Sequence, residues 1–284
     1  MTVLVTSANG RTGRSVVDAL VRAGERVRVF DLNPEVHDLE GLGATEALVG
    51  DLLEPRDVSE AVDGVRVVIH IGPPMHPREA EMGHVVVTAA RRSGVRHFVQ
   101  LSVTHPQLEP LLNHQAKLAV ERLVLLSRIP FTILQPMHYM QNTDVAQVVA
   151  SGLYRQPYSL DTPLAHVDLL DVAEVAALVV GNVARHAFAT YELCGDDFLN
   201  GHQLAGLISE VSGRPIAAQV APAPLGVQEG SHSSEADDYR HDAMFRLFDH
   251  YGCYGITGNP NVLTWLLGRS PGTFLDYARR SLVA

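Results

Sequence analysis

Short runs of β-branched and aliphatic residues alternate, along the first half of the chain, with longer stretches whose apolar positions recur every three or four residues. The first kind has the length and continuity of strands buried on both faces, and the second has the period of amphipathic helices. Strands are therefore predicted over Thr2–Thr6, Arg26–Phe30, Thr45–Val49, Val65–Ile71, His97–Val103 and Phe131–Leu134. Helices are predicted over Ser15–Gly24, Val58–Val62, Glu79–Ser93 and a segment through Lys117 to about Arg128. Gly24 and Gly94 supply stop signals for two of them. Beyond residue 140 the pattern loosens. Strands are expected at Leu164–Leu169, Tyr191–Cys194 and Pro215–Val220. Helices are expected at Val172–Val183, capped by Asp171, and at Leu204–Val211, Asp237–Tyr251 and Asn261–Leu267. Residues 221–236, rich in Pro, Gly, Ser and Ala, have no period and are predicted to be a flexible loop or lid.

Strands alternating with helices predict an α/β fold: a Rossmann-type, doubly wound parallel sheet, with a smaller mixed α/β region in the C-terminal part. In such sheets ligands bind outside the carboxyl ends of the strands, at the point where the strand order reverses. Composition narrows the partners. The 284 residues are 46% hydrophobic and 19% charged, with a net charge of −10. No Lys/Arg-rich run supplies the basic footprint that a nucleic-acid binder needs. The 14 histidines show no His-x3-His spacing and the two cysteines, Cys194 and Cys253, no Cys-x2-Cys spacing, so no metal site is expected. Two cysteines and no basic leader before Thr2 fit a reducing cytoplasm. No run of 18 uncharged apolar residues exists, so no membrane span is expected.

The turn between the first strand and first helix reads Ser7-Ala8-Asn9-Gly10-Arg11-Thr12-Gly13. Glycines there let the backbone approach a pyrophosphate, and the helix N-terminus offers N–H groups and a favourable dipole. Gly10 and Gly13 provide two glycines of a G-x-x-G-x-x-G spacing, with Ser7 where the first would be. Asp31 ends the second strand, where a carboxylate accepts ribose hydroxyls and repels a 2′-phosphate, favouring NAD. Arg11, inside the loop, is the feature that would attract a 2′-phosphate and favours NADP. Asp51, ending the third strand, can reach the adenine or serve as an ordinary turn residue. Leu52, and Gly72-Pro73 after the fourth strand, complete the expected cofactor contacts. Residues 1–138 with 164–195 are thus expected to bind the dinucleotide, and 139–163 with 196–284 the substrate.

Lys117 is the only lysine, beside twenty-one arginines. Under an arginine bias, a lysine persists where a compact ammonium is needed and a planar guanidinium does not fit. His114 lies about one turn before it on the same helix, and is read as standing where many nucleotide-dependent reductases carry a tyrosine.

Taken together, the Ser7–Gly13 loop, Gly50-Asp51-Leu52, Gly94-Val95-Arg96-His97-Phe98-Val99, His114 with Lys117, and Ile129-Pro130-Phe131-Thr132-Ile133-Leu134-Gln135-Pro136 resemble the NmrA-like atypical short-chain dehydrogenases/reductases. Tyr251-Gly252-Cys253-Tyr254-Gly255 and Leu266-Leu267-Gly268-Arg269-Ser270-Pro271 resemble that family's C-terminal pattern. The chain departs from it at Ser7, at Gln135 where the family often has Arg, and at Asp31-Leu32 where NADP-using members often have a nearby Arg. The resemblance implies reductases of quinones, enones and other conjugated carbonyls, among them enzymes of secondary metabolism for which an aromatic polyketide is a plausible substrate. It also implies, as the alternative, dinucleotide-binding redox sensors that act on a partner protein.

Hydride transfer requires a cation or donor near the acceptor oxygen. Lys117 is the expected cation at the nicotinamide ribose, and His114, with a reference pKa of about 6.5, the expected proton donor. Loss of the tyrosine tilts the reading from simple ketones toward quinone or enone reduction, since a hydroquinone anion is a far weaker base than an alkoxide. Met137-His138-Tyr139-Met140 after the sixth strand suits a flat apolar ligand, with His138 and Tyr139 as polar handles. Ser102 and Thr104 are further hydroxyl candidates near the substrate, and His166, Tyr239 and His241 further pocket residues. The expected partners are a small aromatic substrate and, as a homodimer, a second copy of the chain.

Overall fold

The β-branched runs form strands and the amphipathic runs cover them. The computed structural model describes residues 2–221 and 234–283. The expected lid falls largely on 222–233, outside the described residues, and Glu235 already begins a helix. The first seven strands in chain order are β1 (Thr2–Thr6), β2 (Arg26–Asp31), β3 (Glu46–Val49), β4 (Val67–Ile71), β5 (His97–Leu101), β6 (Phe131–Pro136) and β7 (His138–Tyr139). Between them run α1 (Arg11–Arg22), α2 (Pro55–Val62), α3 (Glu79–Arg92) and α4 (Leu112–Leu126). Then follow α5 (Val145–Ser151), β8 (Leu153–Gln156), β9 (Leu164–Val167), α6 (Leu169–Gly181), β10 (Ala189–Leu193), β11 (Phe198–Leu199), α7 (Gly201–Ser212) and β12 (Ala217–Val220). Helices α8 (Glu235–Tyr254), α9 (Asn261–Leu267) and α10 (Phe274–Val283) end the chain.

Seven strands form one sheet in the order β10-β6-β5-β4-β1-β2-β3. The pairs β1·β2, β2·β3, β1·β4, β4·β5 and β5·β6 are parallel, so the order reverses between β1 and β4 as the Rossmann-type reading expects. The chain separates into two compact units. The first holds Met1–Glu109, Asn113–Gln135 and Val172–Tyr191. Its core packs α2, α3 and α4 on the sheet through Phe30, Phe98, Val86, Val120, Val124 and Ile133. Gly83 lets α3 and α4 approach, since a Cβ there would lie 2.4 Å from Val120 Cγ2.

The second unit holds Pro110–Leu112, Pro136–Asp171 and Glu192–Ala284. Its core joins Met140, Val145, Tyr154, Leu204, Ile208, Phe274 and Ala278. Residues 110–112, 136–138, 164–171 and 192–195 of the expected dinucleotide region fall in this unit. The expected cap also moves. Asp171 lies inside α6, where its carboxylate accepts Gly272 N–H and meets Arg269 at 2.7 Å. Asp168, just before the helix, accepts Leu170 N–H at 3.0 Å and pairs with Arg280 of α10 at 2.5 Å.

Several buried histidines are held neutral. Burial, then the Lys117 charge, pulls the His70 ring down to about 3; burial and His186 pull His97 to about 4; burial pulls His166 to about 4. Below the ordinary value of 6.5 the unfolded rings take up protons that the folded ones refuse. Stability is then complete above pH 6.5 and declines as pH falls toward the folded values, on the order of 1 kcal/mol per ring and pH unit. Thermal melts should be level at pH 7–8 and fall measurably by pH 5.5, above the range where carboxylates of about 4 begin to protonate. A level melting temperature down to pH 5.5 would contradict this.

Candidate functional site

The site begins where β1 and β4 part. Their ladder runs from Val3↔Val67 to Val5↔Ile69 and then stops. Beyond it the Thr6 hydroxyl takes over: it accepts Ile71 N–H and donates to Ile71 O, both at 3.0 Å. With its proton spent there, Thr6 Oγ1 accepts from His70 Nδ1 at 3.0 Å, so the buried ring carries its proton on Nδ1. A side chain thus replaces the backbone ladder at the strand-order reversal, leaving the crevice mouth satisfied although the strands separate.

Ser7 follows with φ +47, a left-handed conformation that explains why glycine is common at this place. The two glycines play different parts. A Cβ on Gly13 would lie 2.5 Å from Ser7 O and 2.6 Å from Ala8 Cα, so α1 can pack on the loop only without one. A Cβ on Gly10 would meet nothing closer than Ser7 O at 3.5 Å, an ordinary contact. The protein itself places no such demand on Gly10, which is exposed. Helix α1 has no side-chain cap and no acidic residue in its first turn, whereas α5, α7 and α8 are capped by Asp144, Asn200 and Ser234. The first-turn N–H groups beside Arg11 and half-buried Thr12 therefore suit an anion, and the open face of Gly10 lets it approach.

Asp31 braces this loop. Its carboxylate accepts Asn9 N–H and Asn33 N–H, each at 2.9 Å. Glu35 accepts the Asn33 and Asn9 side-chain amides at 3.2 and 3.5 Å, which sets a second carboxylate beside the first. Arg14 donates to Asn9 O at 3.0 Å and to its Oδ1, locking the loop from the helix side. Asp51 forms a turn: its carboxylate accepts Leu53 N–H at 2.9 Å, and its own N–H goes to Asp57. Leu52 is buried.

At the end of β4 stand Gly72 and half-buried Pro73. Lys117, on α4, donates to Gly72 O at 3.4 Å and pairs with Glu79 Oε1 at 2.6 Å. The register of α4 corrects one expectation. His114 is three residues before Lys117, so the place four residues before it, where the tyrosine of those reductases stands, is filled by Asn113. His114 is wholly buried, and its Nδ1–H donates to His105 O at 2.9 Å, which ties down the loop after β5. Ser102 and Thr104 are likewise committed. Ser102 donates to Glu121 Oε1 at 2.5 Å, and Thr104 to Gln135 O at 2.6 Å. Gln135 donates to the same Glu121 oxygen at 2.8 Å, so buried Glu121 is satisfied by neutral donors. Thr6, Arg14, Glu35, Glu79 and Glu121 were not among the sequence-derived candidates; only their final partners mark them out.

In the second unit β7 pairs with β9, setting His138 opposite His166 and Tyr139 opposite Val167. The His138 ring lies edge-on to His166 at 5.5 Å and to Tyr251 at 5.6 Å, and Tyr251 packs on Tyr158 at 5.6 Å. Burial and the neighbouring His166 bring His138 to about 3, a neutral ring unsuited to holding a proton. Tyr139 is half-buried beside it. Tyr239 of α8 donates to Leu112 O at 3.5 Å, while His241 is exposed.

The unequal glycines make a paired test. Gly13→Ala should cost about 2 kcal/mol or more of stability, because backbone must shift. Gly10→Val should melt within a degree or two of wild type yet weaken NADH binding at least about tenfold in calorimetric titration. A Gly10→Val protein that binds NADH normally would remove the loop from the phosphate site.

A model of the NmrA-like family matches residues 1–260. The chain is 31% identical over 220 residues to a (4-alkanoyl-5-oxo-2,5-dihydrofuran-3-yl)methyl phosphate reductase of Streptomyces griseus, covering 75% of each chain. It is 25% identical over 288 residues to an NAD(P)H azoreductase of Xenophilus azovorans, covering 99% of this chain and 98% of that one. Its fold is similar to that of an NADPH-dependent quinone oxidoreductase from Escherichia coli solved with NADPH, with a TM-score of 0.78 and 22% identity, over 99% of this chain and all of the other. Among the described residues no helix is long and apolar enough to cross a membrane. The loop, the sheet order and these likenesses agree: the chain belongs to the NmrA-like family.

Proposed function

We propose that the protein is an NAD(P)H-dependent oxidoreductase that reduces a quinone or another aromatic, conjugated carbonyl compound, with NADH preferred. The observation that carries the cofactor reading is the uncapped N-terminus of α1 under the open face of Gly10. Bound there, the dinucleotide supplies the hydride. The chain's own residues bind and orient it. Gly10 to Gly13 would take the pyrophosphate, Asp31 the adenosine ribose, and Lys117 would bring its ammonium to the carboxyl end of β4.

The preference for NADH rests on charge. Asp31 and Glu35 place two carboxylates on the loop, while Arg14 is already spent on Asn9. A 2′-phosphate would face both acids with Arg11 as its closest counterweight in the sequence. The acceptor class rests on the missing acid. Asn113 has no proton to give where the tyrosine would stand, and His114 spends its Nδ1–H on a backbone carbonyl. A reduced quinone or enone, whose anion is a weak base, can take its proton from water, while an alkoxide needs a positioned donor. The relatives' names point the same way, since the furanone phosphate carries a conjugated carbonyl and the Escherichia coli enzyme is a quinone oxidoreductase.

Purified protein should oxidise NADH with benzoquinones and naphthoquinones, and reduce simple ketones at least about a hundredfold more slowly. No turnover with any quinone or enone, despite measured NADH binding, would defeat this reading. Glu35→Gln should narrow the preference for NADH over NADPH by about threefold without changing stability, because Glu35 is exposed and the loop backbone is held by Asp31 and Arg14. A wild type that binds NADPH more tightly than NADH would show that Arg11 outweighs both acids.

A further inference from the structure

Glu79 is the first residue of α3, and its side chain is 1% exposed. Among the described residues its carboxylate meets one cation, Lys117, as an ion pair 2.6 Å from Oε1, and neither oxygen accepts a well-directed hydrogen bond. A carboxylate buried so deeply costs several kcal/mol unless paired, and a neutral side chain of similar shape would pack there at lower cost. The surroundings are nevertheless arranged around the charge. Gly72 leaves room for it, since a Cβ there would come 2.9 Å from Glu79 Oε1. The first turn of α3 also favours a negative side chain. The ammonium it holds reaches back to Gly72 O, so the end of β4, the start of α3 and the middle of α4 meet at this pair. His70 also faces Lys117, but as a neutral ring.

We propose that Glu79 is the positioning residue for Lys117: its buried carboxylate fixes the ammonium against the Gly72 carbonyl and so sets where Lys117 meets the dinucleotide. The inference rests on the dinucleotide reading above. An unpaired Lys117 would swing on four single bonds and lose the entropy of fixing them when cofactor binds. Held in place, it has already lost that freedom.

The test is a double-mutant cycle of Glu79→Gln and Lys117→Met, with calorimetric titration of NADH, steady-state turnover of a naphthoquinone and thermal melts of the protein without cofactor. Glu79→Gln is expected to weaken NADH binding about tenfold and to lower kcat, with KM for the quinone within about twofold. In the Lys117→Met background the same change should alter NADH affinity by less than about twofold, because its target is gone. Glu79→Asp, which keeps the charge but shortens the reach, should fold and weaken NADH about threefold, again only when Lys117 is present. Wild-type affinity in Glu79→Gln or Glu79→Asp would overturn the proposal. So would an equal loss with and without Lys117, which would make Glu79 a packing residue. A wild-type protein that binds no dinucleotide overturns the function proposed above and this role with it, and that result is read on the wild type alone.

Discussion

Two charged side chains on the buried face of one helix constrain everything around them. Lys117 and Glu121 stand one turn apart on α4, with buried Val120 and Val124 beside them, so the face that packs on the sheet carries both signs of charge. They do not answer each other. Lys117 is met by Glu79 from α3, and Glu121 by Ser102 after β5 and Gln135 of β6. Each solution takes material from a different crossover of the sheet, so α3, α4 and the ends of β4, β5 and β6 are bound into one polar layer above an apolar core. Ser102, a substrate candidate in the sequence, and Gln135 are both occupied in keeping a buried carboxylate satisfied.

The same economy governs the strand-order reversal. A parallel sheet must open between β1 and β4 to admit a ligand, yet each strand edge that opens there leaves backbone groups without partners. Thr6 resolves this with one hydroxyl, which accepts from Ile71 N–H and donates to Ile71 O. The cost is passed to His70, whose proton is fixed on Nδ1 and whose ring must remain neutral. Side-chain hydrogen bonds thus take over where the β1–β4 ladder ends, and His70, one of the three buried rings behind the acid sensitivity of the fold, belongs to that arrangement.

The strands and helices of the first unit were legible because their periods are long and clean, and the helices that cover them bury one continuous face. The loop was legible because Gly10 and Gly13 fall between a strand and a helix. The division of labour between those glycines was not, since it depends on what a Cβ would touch. The partners of Lys117 and Glu121 were hidden for a different reason: Glu79 lies in another crossover, and no local pattern links it to α4. The tyrosine place was misassigned by one residue, and on a helix one residue turns a side chain by about 100°. His114 consequently points into the fold, to His105 O. In the second unit α10 escaped notice because it buries little beyond Phe274 and Ala278, although Thr273 and Asp276 form a reciprocal cap that the sequence does carry. The helix at Leu169 was placed late because Asp171 has the composition of a cap while Asp168 has the geometry of one.

The solitary lysine now has a physical account that does not depend on cofactor alone. The space between Gly72 O and Glu79 Oε1 takes one ammonium, which reaches an oxygen on each side from a single atom. A guanidinium spreads its donors over a planar fork, and within this pocket some would be left without acceptors beside an apolar core. Arginine, the basic residue at the other twenty-one such positions of the chain, would therefore be costly at position 117 before any ligand arrives. The partner of the buried carboxylate and the cation at the carboxyl end of β4 are thus one atom, Lys117 Nζ.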